Sequence, residues 1–441
     1  MKITLFGCAL TGLVTAGALA STGNEVMAVP LKDSEDDSSR LAALQQGALG
    51  REEPGLSELI QTQLAAGRLQ FTEDWTQAIG HAEVIFLSMP SWQAKQAQAV
   101  VEAIGCTANR SLILVNQVTL PVGTADLFAQ KLQADFVVRG VKHSVQVVVM
   151  PEFITEGAAI ENFMRPDRII LGSKEPEAIA VLKELMHPFN RMTDQVKVMS
   201  TRSAEYSKYA VNALLATRIS LMNELANNAE TLGVDIEQVR QGIGADSRIG
   251  YSYLYPGTGY GGPSFAADIQ FLVQSLQSSG SEVELLQGAL TINEMQKEVM
   301  FRKAWRFFQA DLIGKKIAVW GLAFKPNTDT ITNAPSLKTI AAFVSQGAEV
   351  FAYDPKANAK FSDWWGKRSG VILQEDPYAV LQDAEALVIL TEWKHFWSPD
   401  FERMRDLMHQ AVIFDGRNLY DPKRMQEKGF RYFAVGRGEL I

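Results

Sequence analysis

Short β-rich runs alternate with helical stretches from residue 1 to about 200, and after Gly314 the same alternation begins again. In the first stretch Lys2–Phe6, Glu25–Val29, Val84–Ser88, Ser111–Val115, Val145–Met150 and Arg168–Leu171 read as strands, and Trp92–Ala103 and Pro176–Leu185 read as helices. In the second, Lys316–Trp320, Glu349–Tyr353, Ala386–Leu390 and Ala411–Phe414 read as strands and Ser336–Ser345 as a helix. Strands that alternate with helices pair in parallel, because a crossover helix must return the chain to the edge where it started. Between the two stretches, Ser203 to about Leu232 is amphipathic and free of Gly and Pro, and further helices run to about Gln309. The expected fold is α/β: two doubly wound domains, over 1–200 and 311–441, joined through a helical middle at 201–310 that is suited to dimer formation.

The N-terminus admits two readings. Lys2, the apolar run through Val14 and the Ala18-Leu19-Ala20 triplet imitate a signal peptide with its cleavage site. The other reading is a strand at Lys2–Phe6, a turn at Gly7, a helix from about Leu10 to near Gly23 and a strand at Glu25–Val29. That βαβ opening is favoured, since a cleaved leader needs no strand partner placed so regularly after it. No other apolar run reaches membrane-spanning length.

At 441 residues the chain exceeds one ordinary core, and a prior of about 150 residues per domain predicts roughly three units. With 42 basic against 50 acidic residues the net charge is −8, the wrong sign for a general nucleic-acid binder. Asp33–Asp37 is acidic but too short to be a tail. The two cysteines, Cys8 and Cys106, cannot build a disulfide framework and suit a reducing, cytoplasmic compartment. His81, His143, His187, His395 and His409 are scattered singly, so no metal site is expected.

Four separated stretches carry chemistry. They are Glu152-Phe153-Ile154-Thr155-Glu156-Gly157 with Pro166-Asp167-Arg168; Lys208-Tyr209-Ala210-Val211-Asn212; Arg248-Ile249-Gly250 leading to Gly257-Thr258-Gly259-Tyr260-Gly261-Gly262; and Gly321-Leu322-Ala323-Phe324-Lys325-Pro326-Asn327-Thr328-Asp329. Together with Glu53-Pro54-Gly55-Leu56 and Pro121-Val122-Gly123-Thr124, in this order, they make the whole chain resemble the UDP-glucose/GDP-mannose 6-dehydrogenase family. The resemblance implies an N-terminal Rossmann domain for NAD, a central dimerising helix and a C-terminal UDP-binding domain. It also implies oxidation of a sugar C6 alcohol to a carboxylate with two NAD⁺. Thr119, Glu152, Lys208, Asn212, Ser264 and Asp268 fall at its catalytic positions, and Phe153, Glu156, Arg248, Tyr253, Leu254, Tyr260, Gly261, Lys325 and Arg417 at its substrate positions.

Several of these residues also have a reading of their own. Lys208 and Asn212 are four apart on one helix face, where an ammonium and an amide can hold an oxyanion; the plain alternative is a solvated stripe with Glu205. Glu152 follows a strand-like run, at the edge where α/β sites collect; in the family that Glu positions a hydrolytic water. The Gly257–Gly262 run lets backbone approach a sugar without Cβ interference. Lys325 and Arg417 are cations at strand ends, suited to a diphosphate. Arg248 resembles the family residue that reaches across the dimer.

The redox side departs from the family pattern. Its nucleophilic Cys falls at Ser264 and its following Lys at Ala267. The dinucleotide fingerprint reads Gly7-Cys8-Ala9-Leu10-Thr11-Gly12, so a methyl stands where the middle glycine admits the pyrophosphate. Pro30 occupies the position of the ribose-gripping acid, which Asp33 replaces only if it swings in, and Thr332 that of a phosphate-binding Arg. The chain also passes from Met89-Pro90-Ser91 straight into a helix, without the longer polar segment common there. These changes point to a cytoplasmic, dimeric UDP-sugar binder in which NAD binding and the four-electron oxidation are impaired. The alternatives are a working NAD-dependent dehydrogenase, yielding a UDP-uronate or the aldehyde for polysaccharide biosynthesis, and a structural partner of an active paralogue.

Overall fold

A computed structural model describes residues 1–31, 39–191 and 195–438, so Asp33 and the rest of the acidic cluster lie outside the described residues. The chain forms two compact units, Met1–Val211 and Asn212–Ile441, and the 32-residue helix Thr201–Leu232 begins in the first and ends in the second.

In the first unit β1 (Lys2–Phe6), β2 (Glu25–Val29), β3 (Leu69–Phe71), β4 (Val84–Leu87), β5 (Leu112–Asn116), β6 (Val145–Val149), β7 (Ile169–Gly172) and β8 (Val196–Met199) make one sheet. Their order is β3-β2-β1-β4-β5-β6-β7-β8, which reverses direction between β1 and β4, the switch point where α/β sheets bind ligands. Successive side chains on a strand point to opposite faces, so each strand feeds two cores. Val84 and Phe86 of β4 and Ile113 and Val115 of β5 join one apolar cluster, whereas Ile85, Leu87, Leu112 and Leu114 join the other.

The apolar N-terminal run is the helix α1 (Leu10–Ser21), buried from Gly12 through Ala20. Its small side chains permit that burial. A Cβ on Gly17 would come within 3.0 Å of Leu59 on the neighbouring helix Leu56–Ala65.

One expectation of the alternating pattern fails, because β7 pairs with β6 antiparallel. The only helix between them, Ala159–Met164, has 6 residues. At about 1.5 Å per residue that is roughly 9 Å, too short to carry the chain back along a strand, so it returns in the opposite direction. The predicted helix at Trp92 also opens later, as a tight turn over Ser91–Gln93 behind the extended Pro90 and then α-helix over Ala94–Thr107.

In the second unit β9 (Lys316–Trp320), β10 (Glu349–Tyr353), β11 (Val371–Leu373), β12 (Ala386–Ile389), β13 (Val412–Asp415) and β14 (Arg431–Ala434) form a parallel sheet in the order β11-β10-β9-β12-β13-β14. The same reversal recurs between β9 and β12. Ile317, Val319, Leu387, Ile389, Ile413 and Phe414 are fully buried in its core.

Buried phenols make this unit sensitive to alkali. Burial pushes Tyr260 up to about 12, and burial followed by the nearby Asp415 charge raises Tyr420 and Tyr432 well above the ordinary value. Phenols freed by unfolding ionise near 10, so above that pH the folded state holds more protons and stability falls as pH rises. Urea midpoints at pH 9 and 10.5 should differ in that direction, and an unchanged midpoint would mean that these hydroxyls reach solvent. The thiols offer a second check. Cys106 is exposed, while Cys8 is buried and pushed up to about 12 by that burial. A chromogenic disulfide reagent should therefore label one thiol quickly and the second only on unfolding.

Candidate active site

In the first unit the loop after β6 meets the long helix. Lys208 donates from Nζ to the Glu152 carbonyl at 2.6 Å and lies 3.3 Å from its Oε1. The other oxygen, Oε2, accepts the Ile154 N–H at 2.9 Å, which aims the carboxylate along its own loop. Two cations lie near the Phe153 ring, the Arg168 guanidinium 3.9 Å and the Lys208 ammonium 5.3 Å from its centre. Glu156 is half-buried further along this loop, and Thr119 is half-buried on the loop after β5.

Two carboxylates that sequence reasoning did not place hold these loops. Glu53 accepts the N–H groups of Gly157 and Ala159, at 2.7 and 2.8 Å. Glu205 accepts those of Gly123 and Ala125, at 2.6 and 2.9 Å. The solvated-stripe alternative fails: Glu205, Lys208 and Asn212 are only 5%, 8% and 8% exposed. The one available signal was Glu53-Pro54-Gly55-Leu56, whose motif spacing carries no hint of a loop partner.

At the dinucleotide fingerprint the outer glycines have packing duties. Gly7 has φ +107°, and a Cβ there would meet the Ser88 carbonyl at 2.4 Å; one on Gly12 would meet the Gly7 carbonyl at 1.9 Å. Ala9 is extended and caps α1 without a side-chain bond. Pro30 is buried at the end of β2. Arg40, which sequence reasoning also missed, donates to the carbonyls of Leu49 and Cys8, at 2.9 and 3.4 Å.

In the second unit Asn212 donates to Asp268 Oδ2 at 2.9 Å, with Asp268 only 2% exposed. Asp268 lies in the first turn of the helix Phe265–Ser278. Ser264 caps that helix, is exposed, and makes no capping bond with its hydroxyl; Ala267 is half-buried.

The glycine-rich loop is held from several sides. Asn293 accepts the Tyr260 N–H at 2.8 Å and donates back to its carbonyl at 3.1 Å, while Asn223 accepts the Gly257 N–H at 2.8 Å. The glycines of this loop also have packing duties, since protein atoms fill the Cβ space. A Cβ on Gly259 would lie 2.7 Å from Asn293 Oδ1, one on Gly261 2.6 Å from the Asn333 carbonyl, and one on Gly262 2.9 Å from the Phe324 ring. Tyr253 and Leu254 precede the loop, Leu254 buried and Tyr253 at φ +58°, with burial raising the Tyr253 phenol.

Arg417 joins the Phe324-Lys325 segment to the chain just after β12. Its guanidinium donates to the carbonyls of Leu390 and Phe324, at 2.7 and 3.3 Å. Nε also lies 3.1 Å from Glu392, a charge contact without hydrogen-bond alignment because that N–H points at Leu390. Fully buried Asp415 accepts the Arg417 N–H at 2.9 Å and so sets the turn; burial raises its carboxyl despite four donors. Lys325 is half-buried, its ammonium 5.4 Å from the Phe324 ring centre. Thr332 is exposed, and its carbonyl accepts the Gly262 N–H at 2.8 Å. Arg248 is paired with Asp246 at 2.6 Å and its side chain is 86% exposed. Among the described residues no group of three His, Cys, Asp or Glu could hold a metal ion, and no helix is long and apolar enough to cross a membrane.

Comparison with known proteins places these sites in context. The UDP-glucose/GDP-mannose dehydrogenase family matches through its NAD binding domain at residues 1–190, its central domain at 202–295 and its UDP binding domain at 318–422. A UDP-glucose 6-dehydrogenase from Pseudomonas aeruginosa is 40% identical over 447 aligned positions, covering 99% of this chain and 98% of the relative. One from Rhizobium meliloti is 35% identical over 99% of this chain and 100% of the relative. A UDP-glucose dehydrogenase structure from Pyrobaculum islandicum superimposes with a TM-score of 0.87 at 29% identity, covering 98% of this chain and 97% of that one. The chain belongs to the UDP-glucose/GDP-mannose dehydrogenase family.

Proposed function

We propose that this chain binds a UDP-sugar and has lost the full four-electron oxidation. The observation that carries the reading is Ser264 at the family's thiol position, exposed at the head of its helix, beside an Asn212–Asp268 pair that is kept. A thiol with a pKa of about 8.5 is partly ionised near neutrality, whereas a serine hydroxyl needs a dedicated base.

The residues at the dinucleotide site fit NAD poorly. The glycines kept, Gly7 and Gly12, are those whose Cβ would strike the protein's own backbone, while the ligand-facing position carries the Ala9 methyl. Pro30 offers no carboxylate to a ribose, and Thr332 no cation to a phosphate. Each lost charged contact costs about 1.5–3 kcal/mol and the Ala9 methyl against the pyrophosphate more, so affinity falls by about a thousandfold in sum.

On the sugar side the reading assigns Lys325 and Arg417 to the diphosphate, and Tyr253, Leu254, Tyr260, Gly261, Phe153 and Glu156 to the rest of the nucleotide sugar. Lys208, Asn212, Glu152 and Thr119 take the family's catalytic roles at C6. The chain acts in the cytoplasm as a dimer, with Arg248 reaching its partner. Exposed Leu214, Leu221, Leu225 and Leu232, spaced along the long helix, support that pairing. A working dehydrogenase is the second reading, favoured by 40% identity to a UDP-glucose 6-dehydrogenase and by the retained Glu152, Lys208, Asn212 and Asp268.

UDP-glucose should raise the melting temperature, and Lys325→Ala should remove that shift while leaving the unliganded melt unchanged. A normal shift in Lys325→Ala would take that cation out of the site. Absorbance of NADH with UDP-glucose tests the redox side. Ser264→Cys alone should stay silent, because groups that act as one catalytic unit are strongly non-additive. Adding Ala9→Gly, Pro30→Asp, Ala267→Lys and Thr332→Arg should restore NADH formation. A folded, sugar-binding combined variant that stays silent would contradict the assigned geometry.

A further inference from the structure

Glu205 is an acid buried where charge is costly, and the proposed chemistry does not use it. It is 5% exposed, and burial raises its carboxyl above the ordinary range. Both of its oxygens are spent on backbone, Oε2 on Gly123 and Oε1 on Ala125. Gly123, at φ +98°, caps the helix Thr124–Val138, so Glu205 satisfies N–H groups that a helix start leaves without partners. The loop it holds runs back through Thr119 to Asn116, whose Oδ1 accepts the Val118 N–H at 3.1 Å and whose Nδ2 donates to the Val118 carbonyl at 3.3 Å. Thr119 thus sits between two side-chain anchors. Three residues along the same helix, on the same face, Lys208 holds the next loop through the Glu152 carbonyl.

We propose that Glu205 is a positioning residue: its carboxylate fixes the Thr119 loop against the turn of helix that, through Lys208, fixes the Glu152 loop. This rests on the reading of Thr119, Glu152 and Lys208 as groups beside the sugar. One helical turn then sets the spacing of both loops. A carboxylate suits the task because it accepts at two oxygens without donating.

Glu205→Gln keeps the length but turns an NH₂ toward a backbone N–H, so one bond is lost and two donors face each other. Amide exchange at Gly123 and Ala125 should speed up at least tenfold, with β4 and β5 unchanged, and the Kd for UDP-glucose by calorimetry should rise about tenfold. Glu205→Asp, which keeps the charge but reaches only one N–H, should fall between Gln and wild type, and it carries the test if Gln prevents cooperative folding. Faster exchange with an unchanged Kd would reduce Glu205 to a structural cap, and unchanged exchange would remove it from the loop; either result overturns the proposal. Wild type that binds no UDP-glucose overturns the sugar-nucleotide reading, and this assignment with it.

Discussion

Four backbone N–H groups beyond β5 and β6, those of Gly123, Ala125, Gly157 and Ala159, bond a side chain rather than a strand, and buried donors left unpaired cost about 1–3 kcal/mol each. Glu53 and Glu205 take up Gly157, Ala159, Gly123 and Ala125, and Lys208 supplies a donor to the Glu152 carbonyl. Charged side chains brought from distant sequence thus do what secondary structure does elsewhere. The loops bearing Glu152 and Thr119 are held by these contacts.

The second unit solves the same problem with amides. Asn223 and Asn293 satisfy the glycine-rich loop at Gly257 and Tyr260, and Gln296 donates to the Gly257 carbonyl at 2.7 Å. Neutral amides both donate and accept, so they can track a turning backbone without the desolvation cost of a charge. The glycines are as much a packing requirement as an opening for ligand. Retention of Gly259, Gly261 and Gly262 therefore says little about catalysis, whereas Ser264 and Ala267, which no packing demand explains, say more.

Much of the fold was legible because central strands are buried on both faces and read as continuous apolar runs. β3, β8, β11 and β14, which the alternation did not single out, are the edges of the two sheets. Two of these edges are partly solvated: Val196–Met199 and Val371–Leu373 have no fully buried residue, so their apolar signal fades into loop. The antiparallel turn of β7 was illegible for another reason, since only the length of Ala159–Met164 betrays it. In the site, motifs supplied the residues assigned to a ligand, whereas Glu53, Glu205 and Arg40 act on backbone that folding alone brings to them. Spacing of about 80 residues between Glu205 and the loop whose N–H groups it accepts leaves no local pattern to read.

The central claim is that the sugar side of this chain is kept and its dinucleotide side is lost. Calorimetry on the unmodified protein separates the two: UDP-glucose titrated alone, then NAD⁺ titrated into free and UDP-glucose-saturated protein. The account predicts saturable heat from UDP-glucose and none from millimolar NAD⁺ in either state. Tight NAD⁺ binding, accompanied by two NADH released per UDP-glucose, would contradict it.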